Sequence, residues 1–93
     1  MPQVIWAQAA ESDLRAISDY IGQDNRAAAK AVATAIRAAG NNLAMFPRKG
    51  HPGEDDTREW LVPGLRRYLL IYDVDEPAGI VNILRVWHQS RDR

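Results

Sequence analysis

The spacing of apolar residues changes period at Pro47, and that change limits what the chain can build. Before it, Ala10, Leu14, Ile17 and Ile21 recur at intervals of four, three and four. Beyond the break at residues 22–25, Val32, Ile36, Ala39, Leu43 and Phe46 recur at four, three, four and three. Such intervals return side chains to one face of an α-helix. The spacing predicts helices over residues 8–24 and about 26–45, with Asp24 or Asn25 placed to cap the second. Alanines at 27–29, 31, 33, 35, 38 and 39 favour helix and let a neighbouring helix approach closely. Gly40-Asn41-Asn42 weakens the last turns, so a frayed or bent end is expected there.

After Pro47 the pattern alternates. Residues 47–56 carry no apolar period and read as a surface loop. Strands are expected over 57–62, 67–74 and 80–87, separated by turns at Pro63-Gly64 and at 75–79. Residues 3–6 are apolar and β-prone and read as one more strand. The order is β-α-α-β-β-β in an α+β fold, with the helical pair covering one face of an antiparallel meander. Alternation puts Tyr68, Leu70 and Tyr72 on one face and Leu69 and Ile71 on the other. Two helices cover one face of a small sheet, so the second apolar face is expected to need a partner.

A chain of 93 residues fits one domain, taken as 1–93. It has no cysteine, hence no disulfide framework, and neither a metal site nor a cofactor is expected. No basic segment followed by an apolar stretch opens the chain, and no apolar run approaches the roughly 18–20 residues of a bilayer span. A soluble cytoplasmic protein without membrane contact is expected. Formal net charge is zero, which argues against a general grip on nucleic acid. Acids cluster at Glu54-Asp55-Asp56 and around Asp73-Asp75-Glu76, and bases lie in or beside the strands at Arg58, Arg66, Arg67, Arg85 and Arg91.

Several stretches together resemble the RelE/ParE toxins of bacterial type II toxin–antitoxin systems, also called plasmid stabilisation proteins. They are Thr57-Arg58-Glu59, Tyr68 with Ile71-Tyr72, and residues 83–91, Ile-Leu-Arg-Val-Trp-His-Gln-Ser-Arg. Asp13-Leu14, Ile17, Tyr20-Ile21, Leu43 and Phe46-Pro47 with Gly50 fit the same pattern, so the resemblance covers nearly the whole chain. It implies a helical hairpin packed on a small curved antiparallel sheet and a cognate antitoxin laid across the toxin surface. An acidic and apolar antitoxin segment is expected to meet Arg58, Arg67, Tyr68, Tyr72 and Arg85, since arginine pairs carboxylates bidentately. Higher-order toxin–antitoxin oligomers are compatible with this.

The family holds two activities. RelE-like members cleave messenger RNA on the ribosome, whereas ParE-like members are not nucleases and poison DNA gyrase. Cleavage needs proton transfer at the ribose 2′-hydroxyl and at the leaving oxygen, with cations on the phosphate. His88 is the candidate for proton transfer, and Arg58, Arg67, Arg85 and Arg91 are the candidates for the phosphate. Alternation sets Arg85 and His88 on opposite faces unless the strand bulges near Trp87. The C-terminal tyrosine usual among messenger-cleaving members is missing: none follows Tyr72. A histidine at a strand end also commonly anchors the following turn. The expectation is therefore a ParE-like gyrase inhibitor, with the ribosome-dependent endoribonuclease and a non-toxic antitoxin-binding relative as alternatives.

Overall fold

A computed structural model describes residues 3–90. Strand β1 (Gln3–Trp6) leads into helices α1 (Gln8–Gly22) and α2 (Arg26–Asn41), and a 3-10 turn follows at Asn42–Ala44. Strands β2 (His51–Pro52), β3 (Arg58–Val62), β4 (Leu65–Asp75) and β5 (Ile80–His88) complete the chain. Asn25 caps α2, its side chain accepting the Ala28 N–H at 2.9 Å. Both helices end earlier than their spacing predicts. The second tightens into the 3-10 turn, which rotates the chain by about a third of a turn per residue instead of 100° and throws the apolar face out of phase. Phe46 consequently ends 61% exposed rather than in the core.

Gly40 has a packing role inside α2. A Cβ there would run into the Trp6 indole, whose Nε1 donates to Asn41 Oδ1 at 3.0 Å. The bare backbone lets β1 lie close against α2, so the glycine is a contact point rather than a helix end.

The sheet order is β1-β5-β4-β3-β2. The β3-β4-β5 meander is antiparallel as expected, but β1 pairs parallel to β5 and makes the sheet mixed. No hairpin joins β1 to β5, since the rest of the fold lies between them, so nothing imposes an antiparallel pairing. A short β2 inside the expected 47–56 loop extends the other edge by pairing with β3.

Leu14, Ile17, Ile36 and Leu43 meet Tyr68, Leu70, Tyr72, Val81, Ile83 and Val86 in the core between helices and sheet. One irregularity places the last of these. Ile71 faces Arg85 while Tyr72 faces Ile83, leaving Leu84 as the extra residue of a β-bulge. The bulge lets Ile83 and Val86, three residues apart, both reach the core.

The second sheet face is less bare than alternation suggests. Leu69 and Ile71 are 2% and 9% exposed within the single chain. Their cross-strand neighbours are long side chains, Leu61 and Trp87 beside Leu69, and Glu59 and Arg85 beside Ile71. A twisted sheet brings such neighbours over the central strand, so burying that strand does not require a partner.

Candidate functional site

The residues singled out in the sequence fall into three places. Arg85 is in β5 just past the bulge. Strand β1 ends opposite Ile83, so beyond that point β5 lies against α1 instead of another strand. Asp13 of α1 fills the gap. Its carboxylate accepts Arg85 Nε at 2.7 Å, Arg85 Nη2 at 3.0 Å and the Val86 N–H at 2.9 Å. The cation proposed for a phosphate or a partner carboxylate is thus already held bidentately within the chain. The apolar spacing of α1 does not include Asp13, and sequence reasoning missed this role. The Val86 N–H left open beyond the end of β1 has no signature in the local spacing.

Arg58 and Tyr72 form the second group. They are cross-strand partners on the helix-covered face. The Arg58 guanidinium donates to the carbonyls of Arg48 and Gly50 at 3.1 and 2.8 Å. Tyr72 is fully buried; its hydroxyl donates to the Pro47 carbonyl at 2.7 Å and accepts the Gly50 N–H at 3.0 Å. Gly50 admits that contact because a Cβ there would strike the Tyr72 ring and hydroxyl and the Glu59 carbonyl. Burial raises the Tyr72 pKa above the ordinary tyrosine value, against smaller lowering influences from the Gly50 N–H and the Arg58 charge. This pair ties residues 47–50 to the sheet. In the free chain Tyr72 presents no surface to an antitoxin, because its ring is core and its hydroxyl is spent on the loop backbone.

The third group gathers Arg67, Tyr68 and His88 at the far end of β4 and β5. Tyr68 is 4% exposed and meets the His88 ring edge-on at 5.4 Å between centroids. It too is packed rather than displayed. His88 Nδ1 lies 3.3 Å from the Ser90 N–H and 2.9 Å from Ser90 Oγ. Both contacts lie in the turn that follows β5, so His88 anchors the strand end. Arg67 and His88 line a cleft of about 480 Å³ between this end of the sheet and the last turn of α1. Ile17, Ile21 and Tyr68 give it apolar walls, and Tyr20 and Asp24 stand at its α1 side.

The three groups do not converge. The bulge comes before Arg85, not near Trp87, so Arg85 pairs with Ile71 on one face and His88 with Tyr68 on the other. Arg58 is separated from both by β4. The remaining candidate, Arg91, lies outside the described residues. Among the described residues there is no cluster of three or more metal-ligating side chains, and no helix long and apolar enough to cross a membrane.

Comparison with known proteins agrees with this architecture. The chain is 37% identical over 91 residues to toxin RelE2 of Caulobacter vibrioides, covering 98% of this chain and 99% of that protein. Its fold superposes on a chain of the chromosomal ParDE toxin–antitoxin system of P. aeruginosa with a TM-score of 0.79. That match has 22% identity and covers 95% of this chain and 96% of the other. A chain of the RelBE2 toxin–antitoxin complex of Mycobacterium tuberculosis matches with a TM-score of 0.62 and 27% identity, covering 95% and 99%. The family model for the ParE toxin of the type II parDE toxin–antitoxin system matches residues 4–93. With helical hairpin, bulged meander and nearly full-length match in agreement, the chain belongs to the ParE toxin family of type II toxin–antitoxin systems.

Proposed function

We propose that this toxin acts through protein–protein contact, as a ParE-like inhibitor of DNA gyrase, and is neutralised in the cytoplasm by a cognate antitoxin. The observation that carries this reading is the separation of the candidate catalytic groups. Arg58 is spent on loop carbonyls, Arg85 on Asp13, and the His88 Nδ1 on the Ser90 turn. Ribonuclease chemistry asks for a proton-transfer group and phosphate-binding cations around one reacting centre. Zero net charge adds no general attraction for RNA.

A gyrase supercoiling assay with purified toxin tests the reading. Loss of supercoiling, or accumulation of cleaved DNA, is the expected result; full gyrase activity at toxin concentrations that arrest growth would overturn it. The second reading, ribosome-dependent messenger cleavage, draws on the RelE2 name of the Caulobacter relative and on the shared cleft of Arg67 and His88.

A further inference from the structure

The two edges of the sheet treat their outward backbone groups differently. At the β2 edge the Gly53 N–H bonds to the Thr57 carbonyl at 2.8 Å and His51 pairs with Glu59, so the alternate residue that faces outward is Pro52. Proline has no N–H to offer, and β2 is only two residues long, so this edge is guarded against a further strand. At the β1 edge the Gln3 and Ala7 N–H groups bond to the Gly79 and Ile83 carbonyls at 2.7 and 2.9 Å. The alternate residues, Val4 and Trp6, therefore turn their N–H and C=O groups away from β5. Among the described residues these groups have no backbone partner on that side. Residues Gln3–Trp6 carry no charge, no proline and no bulge, the devices that usually keep an edge from pairing. The strand is also held in shape. Val4 and Trp6 pack against the core, and the Trp6 indole donates to Asn41 and lies 4.7 Å below the Arg37 guanidinium. Ile5 points to the opposite, helix-free face and is 45% exposed. A strand already fixed in this way loses little conformational entropy when it pairs.

We infer that β1 is the interface for a second copy of this chain, paired antiparallel about a two-fold axis at Ile5. The register makes the edge self-complementary. With Ile5 opposite Ile5 of the other copy, Val4 falls opposite Trp6 of the other copy, and each such pair exchanges both N–H···O=C bonds. The two Ile5 side chains meet on the helix-free face at the closer, non-hydrogen-bonded position and cover each other's apolar surface. The second copy thus brings backbone groups in register, an apolar residue at the position facing Ile5 and no charge along the strand. The two sheets become one continuous sheet, with the guarded β2 edges at its outer ends. This pairing goes beyond the proposed function and depends on neither the gyrase target nor the antitoxin.

Sedimentation velocity of the purified toxin, free of antitoxin, tests the inference. Wild type should pass from monomer to dimer as its concentration rises to about 0.1 mM, since so short an interface gives a weak association. Ile5→Lys and Ile5→Glu should each weaken self-association about tenfold or more, because like charges then meet at the axis. An equal mixture of the two variants should recover the dimer, which variants that merely fail to fold would not do. Hydrogen exchange supplies a check without substitution. The Val4 and Trp6 amides should gain protection as concentration rises, while the Ala7 amide, bonded to Ile83 within the chain, stays protected throughout. A toxin that remains monomeric at about 0.1 mM would overturn the inference, as would a dimer that both Ile5 variants leave intact. A monomer whose complex with the protein encoded beside it is weakened by Ile5→Lys would assign the edge to an antitoxin strand and overturn it as well.

Discussion

Asp13 accepts hydrogen bonds from the Arg85 guanidinium and from the Val86 N–H, and its side chain is only 17% exposed. Asp13→Ala removes every acceptor at once and leaves the Val86 N–H, beyond the end of β1, without a partner. It should destabilise the fold by about 2 kcal/mol in urea denaturation. Arg85→Ala keeps the Val86 bond and exposes no backbone donor, so it should cost about 1 kcal/mol or less. Equal losses would mean that the ion pair, and not the backbone contact, is what Asp13 contributes. Tyr72→Phe tests the loop anchor in the same way. It strands the Pro47 carbonyl and the Gly50 N–H, with an expected cost of about 1–3 kcal/mol and faster amide exchange at Gly50. Glu11 carries a pH dependence. Its bidentate hydrogen bonds from Arg37 lower its pKa below the ordinary 4.5. A depressed carboxylate contributes stability above its unfolded pKa and loses it as pH falls through the folded value. Glu11→Gln should therefore lower stability at neutral pH and leave the strongly acid end unchanged, which flattens the acid limb of the stability curve. The side chain is 45% exposed, so the effect should be small. An unaltered acid limb would show that the pair is fully screened.

At the scale of elements, Gly40 separates two opposing effects. Alanine is the better helix former by about 1 kcal/mol, so helix propensity alone makes Gly40→Ala stabilising. The Trp6 indole occupies the space of the new methyl group, and overpacking of this kind costs about 1–3 kcal/mol. A net loss of stability is expected, and a gain would show that Trp6 moves freely. The same residue shows where sequence legibility ends. The helical hairpin, the β-meander and most core positions follow from apolar period, because the 3.6 and 2.0 repeats are local properties of the chain. What Gly40 touches is set by β1, far away in sequence, so the glycine read as a weak helix end. The parallel pairing of β1, the bulge at Leu84 and the short β2 are likewise products of tertiary contact. The candidate site was legible as a set of residue types but not as an arrangement. Arg58, Arg85 and His88 were visible as charges and a titratable ring, while their partners are backbone carbonyls, a helix carboxylate and a turn. Period and composition do not register such partners.

At the scale of the whole molecule, a chain of zero net charge buries both faces of its central strand. What it offers outward is shape and a few apolar side chains, which suits recognition by proteins better than binding of a polyanion. The central claim is that toxicity comes from contact and not from nucleolytic chemistry. The most direct measurement adds purified toxin to translating ribosomes with a reporter messenger and maps the messenger ends by primer extension. Full-length messenger is predicted at toxin concentrations that abolish gyrase supercoiling. His88→Ala should inhibit supercoiling as wild type does, at a cost of about 1 kcal/mol in stability. Messenger cut at the ribosomal A site by wild type, with cutting slowed about 100-fold or more by His88→Ala, would contradict the account.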